Sequence, residues 1–352
     1  MHLADRLAAR TLELVDIPSE SLHEDEIRKH VRGLAEAALP PVFAGDDAFL
    51  YAGPRRSGVP LVVLAGHYDT VPAQDNVPGR VAGDAVHGCG ASDMKGGLAV
   101  ALELCRDLGP APPAADLALL LFGREELPPR YNPLPAVLDG NELVRDAELV
   151  LLLEPTDGQV QAGCLGHLTA RLTFAGVSGH SARPWLAENA IERAIAGLAP
   201  VLGHARRDAT VGGLTFHEVL SVTRFEAGIA DNVIPDRAVA TVSFRYPPDR
   251  SPAEAEAYLR ALADGAEVET TGNSPPGAVV SGTPLVRALL DAGAHGLEPK
   301  QAWTNVADFT VRGIDAVNFG PGHPRYAHAR DELVEVGALV HAYETLRCLL
   351  SG

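Results

Sequence analysis

Lysine is almost missing from this chain. Of 29 lysines and arginines, lysine fills only positions 29, 95 and 300, a bias that genome composition explains more simply than function. Positive charge is short overall: 46 Asp and Glu leave a net charge of −17. That excludes the basic face a nucleic-acid partner requires. Cysteine is scarce too. Cys89, Cys105, Cys164 and Cys348 show no CxxC spacing, which argues against a disulfide framework or a zinc-thiolate site and fits reduced thiols. No apolar run approaches a membrane span. The opening Met1-His2-Leu3-Ala4-Asp5-Arg6 has no signal-peptide apolar region, so a cytoplasmic protein is expected. There is no repeat of fixed period, no low-complexity tract, and no Gly-x-Ser-x-Gly elbow to support a serine hydrolase.

What is present is an apolar content of 46% over 352 residues, enough for a substantial core and comfortable for two domains. Residues 3–16 and 21–38 read as helices, the second with an acidic start at Glu24-Asp25-Glu26. The runs 61–65, 116–122, 147–153 and 316–319 are apolar at nearly every position. Strands covered on both faces look like this, as in a mostly parallel α/β sheet. A helix of small and apolar residues is expected over 96–108. Residues 168–174 and 238–246 instead alternate apolar and polar, the mark of a sheet with one wet face. Helical patterns at 189–202 and 252–263 accompany them. The fold expected is therefore α/β, a mostly parallel sheet flanked by helices over 1–167 and 281–352, with an inserted α+β domain over 168–280.

Each sheet-like run ends in a metal-type side chain. His67 and Asp69 follow the first, Glu125 and Glu126 the second, and Glu154 the third, while the fourth leads through Gly320-Pro321-Gly322 to His328. Asp93 lies in the glycine-rich loop 88–97. Parallel strands bring their carboxyl ends to one edge, where α/β proteins bind ligands. Alone, each feature is ordinary: a His-x-Asp is usually a capped turn, paired glutamates a solvated helix start, and an Asp before Gly-Gly an N-cap. Four such endings together would be an unusual coincidence. Imidazole plus carboxylate suits zinc, and also manganese or cobalt. Five ligands exceed one tetrahedral catalytic site and match two metals sharing a carboxylate, roughly 3.5–4 Å apart.

The stretches HYDTVP, GCGASDMKGGLA, the Glu125-Glu126 pair, LLLEPTDG and the late NFGPG with its AH resemble the M20 metallopeptidase family of dinuclear zinc amidohydrolases, in the right order over nearly the whole chain. EPTDGQVQAGCLGHLTARLTF, GHSARPWLAENAI, AGIADNVIPD and WTNVADFTVRGIDAVNFGPG are similar to its actinobacterial diaminopimelate branch. The resemblance implies hydrolysis of N-succinyl-L,L-diaminopimelate. Acetylornithine, another N-acyl amino acid or a dipeptide is the alternative within the family, and a non-catalytic metal-binding protein a remote one.

The resemblance also implies roles. Asp93 bridges two divalent ions, with His67 and Glu154 completing one site and Glu126 and His328 the other. Asp69 orients the His67 ring through its other nitrogen, and Glu125 is the general base. Consecutive residues of an extended segment point oppositely, which would let Glu126 bind metal while Glu125 faces the water. His180, in the inserted domain, reaches across a homodimer interface to stabilise an oxyanion; on its own it would read as a surface histidine. Asn232 and Arg245 match a substrate-binding pair, and Arg183 and Thr304 are weaker substrate contacts. Asp308 matches an acidic position that orders its loop. One departure stands out: Cys89 occupies a position that is usually arginine in the family. The proline-rich LPPRYNPLP after Glu126 reads only as an irregular loop.

Overall fold

The computed structural model describes residues 2–352. The chain divides into two compact units, Met1–Gly163 with Val280–Glu298 and Asp308–Gly352, and Cys164–Val279 with Pro299–Ala307. No helix among the described residues is long and apolar enough to cross a membrane.

In chain order the principal strands are β1 (Pro41–Ala44), β2 (Ala48–Ala52), β3 (Leu61–His67), β4 (Asp116–Phe122), β5 (Leu149–Leu152), β6 (Val160–Cys164), β7 (Gly166–Ala175), β8 (Arg207–Val211), β9 (Leu214–Ala227), β10 (Arg237–Tyr246), β11 (Glu267–Ser274), β12 (Leu297–Lys300) and β13 (Ala316–Asn318). The principal helices are α1 (Leu3–Val15), α2 (Asp25–Glu36), α3 (Gly96–Leu108), α4 (Ala190–Leu202), α5 (Pro252–Leu262) and α6 (Val336–Ser351).

The first sheet runs β1-β2-β4-β3-β5-β13-β6-β12. Its centre, β4-β3-β5-β13, is parallel throughout. These four strands are the four continuous apolar runs of the sequence, and every residue in them is buried. The outer pairs β1-β2, β2-β4 and β13-β6 are antiparallel, so the sheet is mixed around a parallel core. Helices α1, α3 and α6 pack against one another beside it. At Gly97, in the first turn of α3, an added Cβ would lie 2.2 Å from the Leu153 carbonyl oxygen. Glycine is what lets this helix approach the end of β5.

The second unit is an antiparallel sheet ordered β8-β9-β10-β7-β11. Alternate residues of β7 and β10 face a core with α4 and α5: Leu168, Leu172, Phe174, Ala240, Val242 and Phe244 meet Ala194, Leu198 and Leu259. Strands β8 and β9 carry no clean alternation, β11 alternates between exposed and half-buried residues over most of its length, and register shifts interrupt β9 between Val222 and Arg224 and β11 between Thr270 and Gly272. The segment Pro299–Ala307 joins this unit through Gln301, whose amide donates to the Thr215 carbonyl (2.9 Å), and through Trp303, whose Nε1 donates to the Pro275 carbonyl (3.1 Å).

Candidate metal centre

The carboxyl ends of the parallel strands carry the chemistry. His67 is the last residue of β3. Glu125 and Glu126 follow β4 after Gly123 and Arg124, the latter at φ 62°. Glu154 lies two residues beyond β5, and His328 lies on the segment that leaves β13. The segments after β5 and β13 are tied together: Thr156 Oγ1 donates to the Gly320 carbonyl and accepts from its N–H, both at 3.1 Å. A Cβ at Gly320 would strike the Leu153 and Glu154 carbonyl oxygens at 2.4 and 2.6 Å, so glycine is required where these endings meet.

The five predicted ligands converge in two groups that share Asp93. His67 Nε2 is 3.3 Å from Asp93 Oδ1 and 3.8 Å from Glu154 Oε1. His328 Nε2 is 3.5 Å from Asp93 Oδ2 and 3.0 Å from Glu126 Oε1. The two oxygens of one carboxylate thus face two different imidazoles. Ligand atoms of His67, Asp93 and Glu126 lie within 4.8 Å of one another, a possible metal site. The donor set fits divalent cations. It is imidazole and carboxylate only, and it crowds negative charge that a cation would offset. The nearby Lys95 does not neutralise it, since its Nζ donates to the Ile17 carbonyl at 2.8 Å. Cys89 is buried, its thiol 3.6 Å from the Val71 carbonyl oxygen.

Asp69 is fully buried and organises the centre. His67 Nδ1 lies 3.0 Å from its carbonyl oxygen and 3.4 Å from its Oδ1, so main chain and side chain together orient the ring. The same carboxylate accepts from the N–H groups of Glu125 (3.1 Å) and Glu126 (3.2 Å). This corrects the expectation of an extended Glu-Glu segment: the two residues lie in a turn held by Asp69. Strand alternation does not separate them, because β4 has already ended. The Ser21 hydroxyl donates to Asp69 Oδ2 at 2.6 Å. Glu332, almost fully buried, accepts from Gly90, Ser92 and Asp93 N–H. Neither Ser21 nor Glu332 has a sequence signal for this role beyond its residue type; Ser21, expected at the start of a helix, lies in a turn before α2.

The electrostatics follow from this crowding. Burial first, then the charges of Glu154, Glu126 and Asp93, push the Glu125 carboxyl well above its ordinary value against an opposing pull from His67. Burial depresses His67, but hydrogen bonding to Asp69 and Asp93 outweighs it and raises the ring well above its usual pKa. Hydrogen bonding to Glu126 raises His328 to about 9 despite partial burial. For Asp69, burial opposes ionisation, yet His67, Ser21 and the Glu125 N–H lower its pKa. Burial pushes Glu332 up to about 7 in spite of its three amide donors.

Residues 63–352 match peptidase family M20/M25/M40. The chain belongs to peptidase family M20. A relative from Corynebacterium glutamicum, named succinyl-diaminopimelate desuccinylase, is 37% identical over 97% of this chain and 95% of its own. A Mycobacterium tuberculosis protein, provisionally named succinyl-diaminopimelate desuccinylase DapE, is 39% identical over 97% of each chain. A solved Bacillus subtilis structure described as a dinuclear metal binding peptidase from the M20 family shares the fold, with TM-score 0.71 at 17% identity over 99% of this chain and 97% of that one.

The remaining predicted residues of this M20 chain lie outside the cluster. His180 ends a two-residue strand in the second unit, exposed, with Nδ1 accepting from the Ala182 N–H at 3.0 Å. Arg183 and Asn232 are exposed there as well. Arg245 pairs with His167 across β10 and β7; burial lowers both, with the Arg245 charge helping to bring His167 to about 4. Thr304 is buried in Pro299–Ala307. Asp308, in the first unit, accepts from Asn132 Nδ2 at 2.9 Å, which anchors the proline-rich segment.

Proposed function

We propose that the protein is a dimetal amidohydrolase that converts N-succinyl-L,L-diaminopimelate and water to succinate and L,L-diaminopimelate, a step toward lysine and cell-wall precursors. One observation carries the dimetal reading: Asp93 turns one carboxylate oxygen to His67 and the other to His328. The substrate follows from full-length similarity to relatives named for it. His67, Glu154 and Asp93 would hold one ion, and Glu126, His328 and Asp93 the other. Zinc suits these donors, and cobalt or manganese would serve. When bound, the ions supply Lewis acidity toward the amide carbonyl and acidify water.

The chain does the rest. Glu125, held beside the cluster by its N–H bond to Asp69, takes the proton of the attacking water. The water oxygen adds to the succinyl carbonyl carbon, and the carbonyl electrons move to oxygen. As the C–N bond breaks, Glu125 returns the proton to the departing amine. His180, contributed by a partner copy, donates to the oxyanion. Arg245, with Asn232, Arg183 and Thr304, binds substrate carboxylate and amide groups.

A homodimer through the second unit is consistent with exposed Ile195 and Leu202 on α4 and Phe225 on β9. β8 pairs with β9 only along Leu214–Glu218, so the rest of that edge is available to a second copy. Four cysteines outside any disulfide and a small biosynthetic substrate are consistent with the cytoplasm.

Turnover on a panel of N-acyl amino acids tests the reading. Succinyl-diaminopimelate should be cleaved in preference to acetylornithine, and the reverse order would move the protein to another M20 activity. Glu125→Gln should lower kcat about 10²–10⁴-fold with both ions still bound. Wild-type turnover in that variant would remove Glu125 from the mechanism.

A further inference from the structure

The loop that presents Asp93 owes its shape to an acceptor from far along the chain. Glu332 Oε2 accepts from the Gly90 N–H at 2.9 Å, and Oε1 accepts from Ser92 at 3.0 Å and Asp93 at 2.9 Å. The Glu332 main-chain carbonyl accepts from the Gly88 N–H at 3.0 Å. One residue therefore takes four amides from six consecutive positions, and it is only 2% exposed. Those amides belong to an irregular segment, with Gly90 at φ 80° and Asp93 outside helical geometry, so regular secondary structure does not satisfy them. Unpaired, each would carry a desolvation penalty. Lys95, also buried, sets a positive charge within Coulombic range of Glu332.

Position along the chain gives this contact its consequence. Glu332 lies four residues beyond His328. The side chain that fixes the loop of the shared aspartate thus belongs to the segment that carries the opposite imidazole. We propose that Glu332 is a positioning residue for the metal pair: by clamping the amides of Gly90, Ser92 and Asp93, it sets the Asp93 carboxylate at the spacing from His328 that two ions need. A carboxylate is required, because three converging N–H groups need two acceptor oxygens. Glutamine offers one oxygen and turns an NH₂ toward donors. Aspartate keeps the charge but falls short of one end of the loop.

The proposal rests on the dimetal reading, and zinc titration of chelator-stripped protein separates the two. If the wild-type protein takes up fewer than two zinc ions, the dimetal reading fails. If it takes up two, Glu332→Gln and Glu332→Asp should bind the weaker ion about 10–100-fold less tightly, with native circular dichroism before zinc is added. Two ions bound at wild-type affinity in both folded variants would overturn the proposal. A wild-type measurement decides the case in which the variants do not fold. In metal-free wild-type protein, the Gly90, Ser92 and Asp93 amides should already be protected from hydrogen exchange. Exchange at free-peptide rates until zinc is added would show that the metal, not Glu332, orders the loop.

Discussion

At the scale of single residues, the proposed dimetal centre would set protons and cations in competition for the same nitrogens. His328, raised to about 9 by Glu126, carries a proton at pH 7 in metal-free protein, and His67 is raised as well. Ligation needs neutral rings, so zinc must displace those protons. We expect about one to two protons released per protein at pH 7, read as a dependence of titration heat on the buffer's ionisation enthalpy. Because the folded pKa is raised, apparent zinc affinity should climb with pH and level off near 9. Heats independent of the buffer would contradict this. Four of the five proposed ligands, His67, Glu126, Glu154 and His328, were legible as candidates because each follows an apolar run whose direction is fixed by the sheet, whereas Asp93 sits in a glycine-rich loop. Ser21 and Glu332 were not, since each works by meeting a group brought near only by folding. The turn at Glu125-Glu126 was misjudged for a related reason: its geometry comes from Asp69, which no local pattern announces.

At the scale of elements, two contacts fix how the strands present their ends. Gly97 lies against the Leu153 carbonyl, one residue before Glu154. Gly97→Ala forces main chain apart. It should cost about 1–3 kcal/mol in denaturant unfolding and weaken metal binding through the displaced Glu154. A variant with unchanged unfolding midpoint and zinc affinity would show that the helix can yield freely.

Asp116, at the start of β4, is 1% exposed and bonded to Arg55 Nη1, Arg56 Nε and the Arg56 N–H, each at 2.7 Å. Burial opposes its charge, but those donors prevail and lower its pKa below 3.8. Its contribution is therefore present above that value and lost as pH falls through the folded pKa. Asp116→Asn should cost about 1–3 kcal/mol at neutral pH and flatten the acid limb of a stability profile. An acid limb as steep as wild type would assign that limb to other carboxylates.

The parallel strands were readable because burial on both faces writes a continuous apolar run. Strands β8, β9 and β11 were not. Register shifts interrupt two of them, and their packing is decided by neighbours distant in sequence.

At the scale of the molecule, the net charge of −17 sets an unfavourable global field against a polyanionic substrate, which on the proposed reading local arginines such as Arg245 would offset. The proposed dimer gives a prediction at this scale. Ile195→Glu combined with Leu202→Glu puts charge on the exposed apolar positions of α4. If that helix lies at the interface, sedimentation should show a monomer, with turnover lost along with the partner's His180 while zinc uptake persists. A wild-type chain that sediments as a monomer would exclude the dimer outright.

The placement of His328 after the whole second unit in the sequence would, on the proposed ligand set, govern when activity can arise. A ribosome delivers His67, Asp93, Glu126 and Glu154 first, then the whole second unit, and only afterwards the stretch bearing His328 and Glu332. A nascent chain can assemble donors for one cation but lacks what the other needs. On the proposed ligand set, products terminated before His328 would therefore be hydrolytically silent, and catalysis would wait until that stretch has been made.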